Sequence, residues 1–141
     1  MRDLHNNVQV KRAISPVNAG SGDTPIVSQI IDRLGYDTLE FVIATGSLAD
    51  ANATFTALVE ESDDSALSGG TAVADADLLG TEVTASFAFG DDDEVRKIGY
   101  VGNKRYVRLT ITPAGNTGDV YVAALALLGN PDMAPVTQAA S

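Results

Sequence analysis

Residues 106–112 read Tyr-Val-Arg-Leu-Thr-Ile-Thr, which places Val107, Leu109 and Ile111 at every second position between more polar side chains. An alternation of period two is typical of a β-strand that buries one face. Glycine and small polar residues follow at 113–118, and such a cluster predicts a loop. The segment therefore indicates a protein built from strands that are joined by short polar connections.

Further strand-like segments lie on both sides of this one. Residues 95–101 precede it across Gly102-Asn103-Lys104, and this arrangement predicts a β-hairpin with residues 105–112. Residues 120–128 are apolar on both faces; Ala and Leu favour a helix there, but the short length and the Val-Tyr-Val start favour a strand. The other predicted strands are 8–14, which ends before Pro16, and 26–31, 39–44, 54–59 and 83–89.

About seven to eight short strands without a long helical pattern predict an all-β fold, an antiparallel β-sandwich or jelly roll. The chain has 141 residues, of which 45% are hydrophobic, so one packed core and a single domain over 1–141 are expected. Residues 60–70 are polar and predict a loop. The ends, 1–7 and 131–141, are predicted to be extended arms.

The chain is strongly acidic, with 9 basic and 19 acidic side chains and a net charge of −10. Nucleic acids and anionic membranes attract clustered Lys and Arg, so neither is an expected partner. A basic cluster nevertheless follows the acidic run at 91–94, and this polarity predicts a contact with a partner protein; a solvated hairpin of mixed charge is the alternative. The predicted contact residues are Arg96, Lys97, Lys104, Arg105 and Arg108, with Arg2, His5, Lys11 and Arg12 as a second candidate group.

The sequence offers few groups for catalysis. A serine triad would need His5, the only histidine, which lies near the N-terminus without a nucleophile motif elsewhere. The turn at Gly20-Ser-Gly22 lacks the third glycine of a dinucleotide loop. Asp75 and Gly80 match a calcium loop, but Ser86 stands where the bidentate carboxylate is needed. The chain is therefore predicted not to be an enzyme and to need no cofactor or metal, although a glycosidase pair of carboxylates is compatible with the sequence.

The chain contains no cysteine, which excludes disulfides and thiolate chemistry. No apolar run approaches the roughly 20 residues that span a bilayer, and the start lacks the apolar core of a signal peptide. Synthesis in a bacterial cytoplasm is therefore expected, with release only as part of a larger particle. The acidic run at 91–94 would suit a divalent cation at a subunit contact, but a solvated loop is the simpler interpretation.

Several segments together resemble small virion proteins that are encoded among the head genes of tailed bacteriophages. These segments are Asp3-Leu4-His5-Asn6-Asn7, 30–36, 39–50, 76–81, 96–102 and 104–118. The family includes capsid cement, or decoration, proteins, among them that of a short-tailed Bordetella phage. The similarity extends over nearly the whole chain. The matching segments contain no catalytic motif, so the resemblance rests on overall likeness.

The resemblance implies a jelly roll or sandwich that forms homo-oligomers and binds the outside of an icosahedral shell across capsomer boundaries. The implied partner is the major capsid protein, the implied location is the virion surface, and no catalytic residues are implied. The apolar outer face of residues 120–128 independently suggests a homodimer or homotrimer. Two alternatives remain: another phage structural component, such as a head–tail connector, tail or head-fibre protein, and a sandwich that binds a small ligand or carbohydrate.

Overall fold

The computed structural model describes residues 2–138 and arranges them in two antiparallel β-sheets. The only α-helix in this part of the chain, α1, spans Glu82–Ala85, and 3-10 turns occur at His5–Asn7 and Asp75–Asp77. In chain order the strands are β1 (Val8–Asn18), β2 (Ile26–Val27), β3 (Ile31–Asp32), β4 (Tyr36–Leu48), β5 (Thr54–Ser62), β6 (Thr71–Ala72), β7 (Leu78–Leu79), β8 (Phe87–Ala88), β9 (Val95–Tyr100), β10 (Tyr106–Ala114) and β11 (Val120–Pro131).

The first sheet has five strands in the order β1-β11-β4-β9-β7. The second has six, in the order β2-β10-β5-β6, with β3 added to β10 and β8 added to β5. This arrangement confirms the predicted all-β sandwich, and β11 confirms a strand at 120–128. The strands outnumber the prediction because the predicted strand 26–31 is divided into β2 and β3, and because β6 and β7 have only two residues each, too few to show an alternation in sequence.

The core lies between the sheets and is formed by alternate side chains of the long strands. Val107, Leu109 and Ile111 on β10 are fully buried, as their alternation predicted. Phe41 and Ile43 on β4 belong to the same buried cluster. Because burial of one such side chain stabilises the fold by about 1.5–3 kcal/mol, this shared core holds the two sheets together.

Strands β9 and β10 do not form the predicted hairpin. Strand β9 pairs with β4, where Ile98 lies opposite Phe41, whereas β10 pairs with β5, where Leu109 lies opposite Val59. The connection at 101–105 therefore crosses from one sheet to the other. The hairpin prediction was wrong because an alternating pattern shows only which side chains are buried. Two consecutive strands bury the same side chains whether they pair with each other in one sheet or lie in the two sheets on opposite sides of the core.

Residues 83–89 do not form the predicted strand but comprise α1, β8 and their connections. The hydroxyl of Thr81 accepts the backbone N–H of Thr84 at 3.0 Å, and the hydroxyl of Thr84 accepts the backbone N–H of Thr81 at 3.2 Å. This reciprocal capping favours a helical turn over an extended strand. Val83 is consequently 82% exposed, whereas Phe87 keeps the buried position that the alternation predicted.

Several strand ends also differ from the predictions. Strand β1 continues through Pro16, because it lies at a sheet edge where a missing N–H breaks no ladder bond. The strand predicted at 26–31 is divided into β2 and β3. Between them the Leu109 N–H donates to the Ser28 hydroxyl rather than to a backbone carbonyl, and the Gln29 N–H turns to the Ala13 carbonyl of β1. Strands β4 and β5 run to Leu48 and Ser62, beyond their predicted ends.

The C-terminal segment 132–138 returns to the start of the chain. The backbone N–H of Val136 donates to the carbonyl of Asn6 at 2.8 Å, so the two predicted arms contact each other. Met1 and residues 139–141 lie outside the described part of the chain. The assignment of the whole chain to one domain stays a prediction.

Candidate partner-binding surface

The five predicted contact residues are divided between the two sheets. Arg96 and Lys97 lie on β9, in the five-stranded sheet, whereas Arg108 lies on β10, in the six-stranded sheet. Lys104 and Arg105 lie in the crossover that joins these strands. The five cations therefore do not share the face of one hairpin, and their contact with a partner protein stays a prediction.

Two cations of the crossover form ion pairs with carboxylates of the chain itself. Arg105 donates to both carboxylate oxygens of Asp32 at 2.9 Å each, and Lys104 Nζ lies 2.9 Å from Asp63 Oδ2. These hydrogen bonds lower the pKa of both aspartates. The side chains of Lys104 and Arg105 are still 43% and 44% exposed, so both remain accessible to a partner.

Arg96 and Arg108 are less accessible and hold parts of the fold together. Arg96 Nη2 lies 3.1 Å from Asp91 and 2.6 Å from Glu94, and Arg108 Nη2 lies 3.1 Å from Glu60. The buried Nε atoms of both arginines make no hydrogen bond within the described chain. Partial burial strengthens the attraction within these pairs, but it also removes water from the charged groups.

The acidic run before β9 is a structural loop. The Asp91 carboxylate accepts the backbone N–H of Ala88 at 2.7 Å, and the Asp92 carboxylate accepts that of Leu48 at 3.2 Å. The hydroxyl of Thr45 donates to the Asp91 carbonyl at 2.6 Å. The run thus ties the ends of β4 and β8 together. Within residues 2–138 no group of three or more His, Asp or Glu side chains could hold a metal ion.

The outer face of the five-stranded sheet is mostly apolar. Antiparallel register places cross-strand neighbours on the same face, and Leu125 of β11 lies between Val42 of β4 and Arg12 of β1. Exposed apolar side chains continue to the far edge, where Val95 is 68% exposed. The large apolar side chains of this outer sheet face are Val10, Val42, Leu79, Val95, Tyr121, Leu125 and Leu127. Exposed apolar side chains that are grouped on one sheet face in this way are typical of a protein-binding surface.

Glu40 and Lys97 interrupt the outer sheet face. The register places Glu40 opposite Gly99 and Lys97 opposite Val42. A β-carbon at Gly99 would collide with the Glu40 carboxylate, so the glycine leaves room for this side chain. Burial raises the pKa of Glu40, and the charge of Lys97 offsets part of that effect. A partly dehydrated carboxylate therefore lies within a largely apolar surface.

The outer face of the six-stranded sheet has a different character. Its central pair of strands places Glu60 opposite Arg108, and Thr110 and Thr112 face the same side as this pair. The hydroxyl of Thr110 donates to Glu60 at 3.4 Å, which adds to the ion pair of Glu60 with Arg108. Because this face is mainly polar, the apolar sheet face on the opposite side is the better candidate for a partner-binding surface.

Sequence patterns did not identify Arg33, which fixes the crossover between the sheets. Arg33 is 9% exposed, and its guanidinium donates to the carbonyls of Lys104 at 2.7 Å and 2.9 Å and of Gly102 at 3.0 Å. The same group lies 4.9 Å from the centre of the Tyr100 ring, whose hydroxyl donates to Glu61. Burial and the Glu61 carboxylate raise the pKa of Tyr100 above its usual range.

The remaining motifs assemble no reactive cluster within the described residues. His5 lies in an exposed 3-10 turn, and the predicted calcium-loop residues form the 3-10 turn Asp75–Asp77 followed by β7. The carbonyls of Gly20 and Gly22 accept hydrogen bonds of 3.3 Å from the buried side chain of Asn116. In residues 2–138 no helix is both long and apolar enough to cross a membrane.

No family model matches the chain, and no curated protein matches its sequence. Solved structures match it in fold. The PBSX exported protein XepA is 16% identical with a TM-score of 0.55, and the match covers 88% of this chain and 38% of that one. A structure of infectious bursal disease virus, Gx strain, is 16% identical with a TM-score of 0.50, and the match covers 91% and 34%. This chain thus spans only about a third of the length of either protein, and the likeness shows the fold.

A weaker match is a family 35 carbohydrate-binding module from an environmental isolate. It is 12% identical with a TM-score of 0.43, and the match covers 93% of this chain and 90% of that module. A likeness at this level supports no statement about ligands. A PBSX protein and a virus are therefore among the structures of similar fold, while the specific resemblance to the Bordetella phage cement protein stays a prediction.

Proposed function

We propose that this chain is a structural protein of a tailed-phage virion that binds the outer surface of the icosahedral capsid and stabilises it. The observation that carries the proposal is the apolar outer sheet face of a strongly acidic chain whose described residues bring no reactive groups together. Exposed apolar area of this extent costs solubility unless another protein covers it. Such a chain acts through the surfaces that it presents to other chains.

Binding to an assembled shell stabilises that shell by mass action. A cement protein binds the shell but not its separated subunits, so each bound copy shifts the equilibrium toward the assembled state. At a free concentration of 100 times its Kd, one bound copy contributes about 2.7 kcal/mol. Icosahedral symmetry repeats the contact many times, so each single contact can be weak.

The two kinds of surface suit two kinds of partner. The outer sheet face, centred on Leu125, suits packing against a second copy of the chain in a homodimer or homotrimer, because self-association buries apolar area on both copies. The charged residues suit the major capsid protein, and Lys97, Lys104 and Arg105 are more accessible than Arg96 and Arg108. Ion pairs at the rim of an interface mainly set the rate and specificity of association. Nucleic acid and membrane are not proposed as partners.

The resemblance to phage head proteins supports this proposal, and so does the sandwich fold, which is shared with a PBSX protein and with a structure of a virus. Synthesis in the bacterial cytoplasm and incorporation into the virion follow from the same proposal. No enzymatic role is proposed: His5 lies in an exposed 3-10 turn, and residues 2–138 contain no group of three or more His, Asp or Glu side chains that could hold a metal ion.

Quantitative mass spectrometry of purified virions tests the proposal. A near-stoichiometric ratio of this chain to the major capsid protein is expected if it covers the shell. A few to some dozens of copies, located at one vertex, would assign the chain to a head–tail connector or fibre instead. Virions that lack the chain would overturn the proposal.

A further inference from the structure

The outer sheet face differs in charge from the molecule as a whole. The chain has 19 acidic side chains and a net charge of −10. On this face, however, the strand register places one carboxylate and two cations, which are Glu40 on β4, Lys97 on β9 and Arg12 on β1. Because two copies of an acidic protein repel each other over most of their surface, contact between copies is least unfavourable through this face.

The Glu40 carboxylate lies among apolar side chains on the central strand of the sheet. Leu127 of β11 lies opposite Glu40 on one side, and Gly99 of β9 lies opposite it on the other. Leu79 of β7 pairs with Gly99 and borders the same place from the next strand. Among residues 2–138 this half-buried carboxylate accepts no hydrogen bond and forms no ion pair. A cation supplied from outside would therefore be favoured here.

Lys97 is an exposed cation that lies close to Glu40 without binding it. Lys97 is opposite Val42, which is the next residue of β4 on the same face as Glu40, so the two charged side chains are diagonal neighbours. Both line a depression of about 550 Å³ together with the exposed side chains of Leu79 and Val95. The face thus presents an exposed cation beside a half-buried carboxylate, with apolar side chains around both.

This arrangement is complementary to itself. Consider a two-fold axis in the plane between two such faces, midway between Glu40 and Lys97 and perpendicular to the line that joins them. The axis brings each of these residues opposite the other residue of the second copy, so the same contact occurs twice in one interface. The surrounding apolar side chains of the two copies then exclude water, which strengthens the attraction between the opposite charges.

We propose that two copies of the chain pack their outer sheet faces together about a two-fold axis, with Glu40 of each copy bound to Lys97 of the other. The inference rests on the proposed function, in which a second copy covers this face, and it specifies a homodimer rather than a homotrimer. A closed trimer joins two different patches of each copy, whereas a two-fold dimer joins one patch to itself. The outer sheet face supplies that one patch.

Charge reversal on separate copies tests the contact. In Glu40→Lys or Lys97→Glu alone, both contacts of a homodimer would join like charges. A mixed dimer with one copy of each variant has opposite charges at both contacts, and so does a homodimer of the double variant. The controls are Thr56→Lys and Thr56→Glu, which introduce the same charges on the outer face of the other sheet. After thermal unfolding has shown that each protein is folded, sedimentation equilibrium measures the dimer Kd of each protein and of the equimolar mixture.

We expect each single reversal to weaken dimerisation at least about tenfold, which corresponds to about 1.4 kcal/mol. The mixture, the double variant and both controls should have a dimer Kd within about threefold of the wild type. No recovery in the mixture or the double variant would overturn the contact between Glu40 and Lys97, and a monomeric or trimeric wild type would overturn the two-fold packing. Both results are obtained without phage heads, so they leave the proposed binding to the capsid to its own test on virions.

A second measurement applies if Glu40→Lys does not fold. The chain has no cysteine, so chains with Glu40→Cys and chains with Lys97→Cys, once mixed and oxidised, can form disulfides only between copies. We expect linked dimers to form faster in the mixture than with either variant alone. Equal rates in the mixture and in the separate variants would overturn the proposed contact.

Discussion

The guanidinium of Arg33 lies 4.9 Å from the centre of the Tyr100 ring and donates to the carbonyls of Gly102 and Lys104. A residue that follows β3 in the six-stranded sheet thereby contacts the last residue of β9 in the other sheet. These contacts fix the crossover that carries the chain between the sheets. Since Lys104 and Arg105 belong to that crossover, Arg33 also sets the position of two of the predicted contact cations.

Replacement of Arg33 by alanine should destabilise the fold. The Gly102 and Lys104 carbonyls would lose a charged donor in a partly buried place, and the contact with Tyr100 would disappear. We expect the free energy of unfolding to fall by roughly 2–4 kcal/mol, measured by urea denaturation. Lys97→Ala, which removes an exposed cation, is the control and should change it by less than about 0.5 kcal/mol. Equal, small effects of both variants would contradict the role of Arg33.

The stability of the free chain should depend on the protonation of Glu40. Burial raises the pKa of Glu40 in the folded chain, so protonation favours folding at this site. The ionised form of Glu40 lowers the free energy of unfolding. This loss of stability is absent below the ordinary glutamate pKa, grows as the pH rises through the raised pKa, and is fully present above it. Glu40→Gln should therefore be more stable than the wild type near about pH 7 and no more stable near about pH 3.

Urea midpoints of both proteins at the two pH values measure this difference. Asp75→Asn, a change at an exposed carboxyl in a 3-10 turn, is the matched control and should show no gain at neutral pH. A Glu40→Gln variant that is less stable than the wild type at neutral pH would show that the attraction between Glu40 and Lys97 outweighs the cost of burying the carboxylate.

Leu125→Asp should disrupt self-association. Leu125 lies on the outer sheet face next to Val42, and it is 43% exposed, so a charge there is tolerated in the free chain but not in an apolar interface. We expect light scattering to report a dimer or trimer for the wild type and a monomer for the variant. Thr56→Asp, on the polar outer face of the other sheet, should keep the wild-type mass. A monomeric wild type at high concentration would contradict self-association through this face.

Charge reversal at Arg105 should weaken binding to phage heads more than it weakens the fold. The pair with Asp32 is largely exposed and screened by water, so its loss should change the stability of the fold only slightly. The double variant Asp32→Arg with Arg105→Asp restores the ion pair with its direction reversed. We expect normal stability of the double variant but no recovery of binding in a sedimentation assay. Binding of Arg105→Glu at wild-type affinity would remove Arg105 from the contact.

The sequence was sufficient to predict which positions of β10 form the core. Val107, Leu109 and Ile111 alternate in sequence and are fully buried in the structure, because a strand turns every second side chain to one face. The same local rule does not specify which strands pair. Strands β9 and β10 follow each other directly, yet they lie in different sheets, and contacts of the distant residue Arg33 accompany that crossover.

The candidate contact cations were visible in the sequence, but their neutralising partners were not. Asp32, Glu60 and Asp63 lie far from Lys104, Arg105 and Arg108 along the chain, and only pairing with β3 and β5 brings them together. The apolar outer face of β11 was predicted from residues 120–128. Its extension across β4, β9 and β7 required the register of the whole sheet, since Leu79 and Val95 belong to segments without a clear outward pattern.

Cryo-electron microscopy of purified phage heads that carry this protein tests the central claim most directly. We expect sandwich-shaped density that is repeated over the outside of the shell between capsomers. The apolar sheet face of each molecule should be covered by a second copy of the chain. Heads whose outer surface shows no such density, or shows it at a single vertex alone, would contradict a capsid-stabilising role.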